Sequence, residues 1–136
     1  MTLTRKKLLA LALVGFLVSC SGDDLPPGVP APMGPGLLAV ILDSPNNNDG
    51  ALLFTLSGGP ADSIRGRNLR LISSPAGTNR HRVIVSGFIG NGKIVRFWVP
   101  ERDNAAGYAA VLEQAAGRAD FAQQDITNYS LSVVVD

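Results

Sequence analysis

Cys20 is the one thiol in this 136-residue chain. A thiolate is a nucleophile that can take an alkyl or acyl group, but a single one cannot close an internal disulfide or build a cysteine metal site. The only imidazole, His81, stands between Arg80 and Arg82. Two flanking cations disfavour an imidazolium and repel a metal ion, so His81 reads as a loop or strand-edge residue and not as a catalytic base. Glu101 and Asp103 follow Pro100 and read as solvated loop acids. The stretch from Asp43 to Asp49 is rich in oxygen donors. An EF-hand reading with Asp49-Gly50 in places five and six would put Pro45, which offers no side-chain ligand, in place one. Its Asx residues serve turns equally well, and calcium there stays an open alternative. There is no Gly-x-Ser-x-Gly elbow, His-Glu-x-x-His pair or phosphate loop. The residues therefore predict no enzyme, no resident metal and no cofactor.

Charge and one aromatic residue point to binding. From residue 20 onward the chain carries nine basic and eleven acidic groups, which does not suggest a nucleic-acid binder. Eight of the nine cations (Arg65, Arg67, Arg70, Arg80, Arg82, Lys93, Arg96 and Arg102) fall in a stretch whose only acid is Glu101. Antiparallel neighbours can gather several of these on one surface. Alternation places Ile94, Arg96 and Trp98 on one side of a strand, opposite Phe97. An exposed indole beside guanidinium groups can stack on a sugar ring or grip an anionic polymer. The candidate ligand site is therefore Trp98, Arg96, Arg82 and Arg70. The competing reading tucks Trp98 under a loop and scatters the arginines over a solvated surface.

The first twenty residues read as an export signal. Arg5, Lys6 and Lys7 form a positive segment, and Leu8–Val18 is an apolar run of eleven residues. A membrane-spanning helix needs about 20, so this run is a signal peptide's apolar core. It ends in Leu17-Val18-Ser19-Cys20, which resembles the lipobox of bacterial lipoprotein precursors. The resemblance implies that the Cys20 thiol takes a diacylglycerol group, that residues 1–19 are removed, and that the new amino group is acylated (commonly with palmitate). Two or more acyl chains hold a protein stably on a bilayer, at about 0.8 kcal/mol per buried CH₂. Ser21, where an inner-membrane lipoprotein would carry Asp, resembles the outer-membrane class. The expected location is a lipid anchor in the outer membrane, facing the periplasm or the cell surface.

Residues 20–36 follow as a tether. Five prolines and four glycines between Ser21 and Gly36 exclude a helix or a central strand. As a semi-extended linker, that segment can span about 50 Å.

Residues 37–136 form the domain. Short alternating runs recur between turn signals: Leu37–Leu42, Ala51–Ser57, Asn68–Ser73, Arg82–Phe88, Lys93–Val99 and Tyr129–Val135. Asn91-Gly92 has the composition of a hairpin turn. Residues 105–116 are rich in helix formers, but Gly107 and Gly117 confine them. As a strand they put Tyr108, Ala110 and Leu112 on one face, which is the reading adopted. Period-two alternation of this kind predicts an all-β domain, an antiparallel β-sandwich of about seven strands. The pieces LLAVILDSPNNNDGALLFTLSG, GKIVRFWVPE and YSLSVVVD resemble cohesin-like and immunoglobulin-like sandwich modules. That resemblance implies a binding module for a protein or glycan of the envelope. The alternative expectation is an accessory subunit of an envelope assembly that binds by edge-strand pairing.

Overall fold

The computed structural model describes residues 32–136. The signal peptide, Cys20 and the tether as far as residue 31 lie outside the described residues. The domain is an all-β antiparallel sandwich of two sheets. Four strands form the first sheet, in the order β3 (Asp62–Gly66), β6 (Gly92–Val99), β1 (Gly36–Asp43), β9 (Ser130–Val135). Five form the second, in the order β4 (Arg70–Pro75), β5 (Arg80–Ser86), β2 (Asp49–Ser57), β7 (Ala109–Gly117), β8 (Gln123–Gln124).

Alternation builds the core. Leu38, Val40 and Leu42 of β1 and Val95, Phe97 and Val99 of β6 face Leu52, Phe54 and Leu56 of β2 and Val83 and Val85 of β5, all essentially without solvent contact. A strand side chain points to alternate faces at each step, so each sheet delivers one apolar face to the other. The segment from residue 105 divides. Arg102–Gly107 forms a 3₁₀ turn and Ala109–Gly117 a strand. Tyr108 is buried with its ring centroid 5.6 Å from that of Phe97, and Ala110 and Leu112 pack against the core. A bulge at Glu113 then resets the alternation: Leu53 pairs with Gln114 and Phe54 with Leu112. Ala115 therefore returns to the interior.

Among the described residues the strands number nine: the seven read from the sequence, and β3 and β8, which are too short or too irregular to show alternation. Two other expectations need correction. Asn91-Gly92 does not turn a hairpin, since β5 and β6 belong to different sheets. The Asn91 side chain instead accepts from the Ser44 amide at 2.8 Å and donates to the Ser44 carbonyl at 3.1 Å. A hairpin lies instead at β4–β5, closed by bonds from Ala76 N to Arg80 O and from Arg80 N to Gly77 O, and a shorter one at β7–β8. Lastly, Glu101 and Asp103 are not free loop acids. Glu101 accepts from the Gly34 amide and Asp103 from the Met33 amide, each at 3.0 Å. Arg102 donates to the carbonyl of Met33 at 2.5 Å. The 3₁₀ turn thus holds the chain just before β1, and the compact unit begins at Pro32.

The β1–β2 connection crosses between sheets, and the Asp49 carboxylate holds it. Asp49 is fully buried. Ser44 donates to its Oδ2 at 2.6 Å and the Tyr129 hydroxyl to its Oδ1 at 2.5 Å. Asn46 donates to the Tyr129 oxygen at 2.8 Å. Burial, and then the bond to Asp49, push the Tyr129 phenol above its ordinary value, so it remains a donor. Tyr129→Phe removes one donor from a buried carboxylate and is expected to lower stability by about 1.5–3 kcal/mol, measured by urea denaturation.

Candidate ligand-binding face

Trp98 stands on the outer face of the first sheet with 41% of its surface exposed. It is not tucked under a loop. Its cross-strand neighbours are Leu37 of β1 and Asp62 of β3. Arg96 shares that face, opposite Ala39 on one side and Arg65 on the other. Ile94 does not. Val40 pairs with Val95 but Ile41 with Lys93, so Ile94 is the extra residue of a bulge, and it lies buried in the core.

Arg70 and Arg82 are elsewhere. Leu71, Val83 and Val85 of β4 and β5 face the core, so Arg70 and Arg82 face outward from the second sheet. The outer faces of a sandwich look in opposite directions, so the four candidate residues divide into two pairs. The connections β3–β4 and β5–β6 each change sheets, which leaves β3 and β6 with Arg65 and Arg96 on one side and β4 and β5 with Arg70 and Arg82 on the other. Arg82 is also engaged: its Nη2 lies 2.6 Å from Glu113 Oε2, while Thr55 donates to Glu113 Oε1 at 2.5 Å. The Thr55 bond and then Arg82 hold the Glu113 carboxyl below its usual range. His81 is half-buried in β5, opposite Leu56.

A carboxylate that no sequence pattern singles out completes the first face. Asp136 lies 2.5 Å from Lys93 Nζ and 3.7 Å from Arg96 Nη1. No spacing in the sequence announces this contact, because it arises from the pairing of β1 with both β6 and β9. Leu37, opposite Trp98, and Val134, on β9 opposite Ala39, are about two-fifths exposed and add apolar surface to this face.

The Asp43–Asp49 loop offers less to a cation than its composition implies. Both Asp49 oxygens already accept hydroxyl protons, and Asp43 is exposed. No group of three or more metal-capable side chains is found among the described residues. The second sheet bears a shallow depression of about 270 Å³ lined by Ala51, Leu53, Ile84, Gln114, Phe121 and Gln123 among others, an apolar and amide surface. No described helix is long and apolar enough to cross a membrane.

No family model, curated protein or solved structure matches the chain. The face has to be understood from its own chemistry.

The Lys93 bond, and then the charges of Lys93, Arg96 and Arg67, hold the Asp136 carboxyl below its usual range. A depressed folded value stabilises the fold above the ordinary carboxylate pKa of about 4, and that contribution disappears as pH falls through the depressed value. Thermal scans from pH 5 down to pH 2 should show a decline that is shallower in Asp136→Asn.

Proposed function

We propose that this chain is a lipid-anchored, non-enzymatic binding module of the bacterial cell envelope, which holds a glycan on the outer face of its first sheet. The observation that carries this reading is the half-exposed indole of Trp98 on a strand face, with Arg96 two residues away on the same side. A flat aromatic surface stacks on a sugar ring, and an adjacent guanidinium supplies donors to its hydroxyls. The anchor is Cys20, the last residue of a run with the order of a lipobox. An outer-membrane location follows from Ser21 by the same resemblance.

Two experiments test the two halves. Cys20→Ser should leave the protein in the soluble fraction without detergent, and mass spectrometry of the native chain should find the N-terminus at residue 20 with lipid attached. An unmodified N-terminus elsewhere rules out the anchor. Trp98→Ala should lower retention on a panel of envelope polysaccharides by about tenfold or more, since a few aromatic side chains carry most of the binding energy at a typical contact surface. The melting temperature should change little. Equal retention rules out the face.

A second reading, an accessory subunit that pairs by its edge, rests on β9. This edge strand, SLSVVV, lacks the charges and prolines that usually guard an edge. Co-purification of one stoichiometric partner, lost on Val134→Lys, would favour it.

A further inference from the structure

Arg65 and Arg96 are directly opposite one another on neighbouring strands of the first sheet. Opposed residues have Cβ atoms about 5 Å apart, and like charges so placed destabilise a sheet. Arg96 shares Asp136 with Lys93. Arg65 has no salt bridge and no side-chain hydrogen bond among the described residues, and the same holds for the Arg67 side chain.

The backbone is bent to bring this about. Asp62 pairs with Trp98 and Arg65 with Arg96, so β3 carries one residue more than β6 over the same interval. Ser63 takes up the excess with φ at 49°, a left-handed conformation that a non-glycine residue adopts at a cost. In an unbulged strand, Ile64 would stand beside Arg96 on the outer face and Arg65 would point into the core. The bulge packs the partly buried Ile64 against the core and turns Arg65 out opposite Arg96, diagonal to Trp98.

We propose that Arg65 and Arg96 form a two-guanidinium clamp for an acidic group, a carboxylate or phosphate, on the glycan that stacks against Trp98. This inference rests on the glycan reading above and names the substrate class: an acidic polysaccharide. The anion supplies the counter-charge that Arg65 lacks and that Arg96 has only as a share of Asp136, and guanidinium groups bind carboxylate and phosphate oxygens through paired N–H donors. Arg67 and Lys93 raise the local potential and make the interaction sensitive to salt, with a screening length of about 10 Å at 0.1 M.

Calorimetry on the full-length, detergent-solubilised protein tests the clamp with three probes: oligogalacturonate, its methyl ester (the same rings without charge) and a phosphorylated mannan oligosaccharide. The acid, or the phosphorylated chain, is expected to bind about tenfold or more tightly than the methyl ester, with the gap closing as salt rises. Whichever acidic probe binds better identifies the oxyanion. Arg65→Gln and Arg96→Gln should each remove most of that preference, whereas Trp98→Ala should weaken acidic and neutral probes alike. At low ionic strength Arg65→Gln should raise the melting temperature, because it relieves repulsion; a fall would mark Arg65 as structural and overturn the clamp. Equal affinity for acid and ester overturns the clamp and leaves the glycan reading standing. Absence of binding to all three overturns both.

Discussion

Consecutive strands β1 and β2 occupy the centres of opposite sheets, and everything else in the domain is paired outward from these two. The connection of five residues between them must cross the gap between sheets, which is about 10 Å in a sandwich. A crossing backbone leaves polar groups in a place where sheet hydrogen bonds cannot reach them. Side chains meet those groups: Asn91 bonds both the amide and the carbonyl of Ser44, and the Ser44 hydroxyl accepts from the Asn46 amide. The Asp49 carboxylate fixes that hydroxyl by accepting its proton, and takes another from Tyr129, just before β9. One buried charge thereby fixes the loop to the last strand of the first sheet. Were that charge left unpaired, its desolvation would work against the same crossing.

With the inner faces committed to the core, the two outer faces carry what remains, and they differ in character. On the second sheet Arg82, Thr55 and Glu113 form a row that neutralises itself across three strands. Around it stand Ile72, Ile84 and Val111, each substantially exposed. On the first sheet the cations outnumber the acids around Trp98, and a bulge adds Arg65 to them. The contrast arises from local backbone irregularity as much as from composition: shifts of one residue at Ser63, Ile94 and Glu113 decide which side chains each surface shows.

Those irregularities also mark where the sequence ceases to be informative. Leu52, Phe54 and Leu56, or Val95, Phe97 and Val99, can be assigned to the interior by counting in twos, and the all-β sandwich follows from enough such runs. Ile94 defeats the count because the bulge sets it beside Val95 in the core. β3 escapes notice because one residue in five lies at positive φ and only Ile64 is a large apolar group. β8 is two glutamines. The grouping of arginines fails for a different reason. Strand membership was legible for Arg70, Arg82 and Arg96, but the sheet to which each strand belongs depends on whether a connection turns or crosses. Asn91-Gly92 has the composition of a turn, yet Asn91 spends its amide on Ser44 and the chain crosses over. Asp136 is far in sequence from Lys93, and only the pairing of β9 with β1 joins them.

The position of β1 has a mechanical consequence. It is hydrogen-bonded along both edges, to β6 and to β9, and the 3₁₀ turn grips the chain immediately before it through Met33 and Gly34. Tension delivered from the N-terminal side would therefore act along the strand axis, at right angles to antiparallel hydrogen bonds. With the domain held at the opposite end of the sheet, such a load shears both ladders at once and does not peel them rung by rung, and it meets the short grip at Met33 and Gly34 first. Resistance to forced unfolding depends on the height of the unfolding barrier and not on equilibrium stability alone. The strand at the centre of the first sheet is thus also the domain's tensile element.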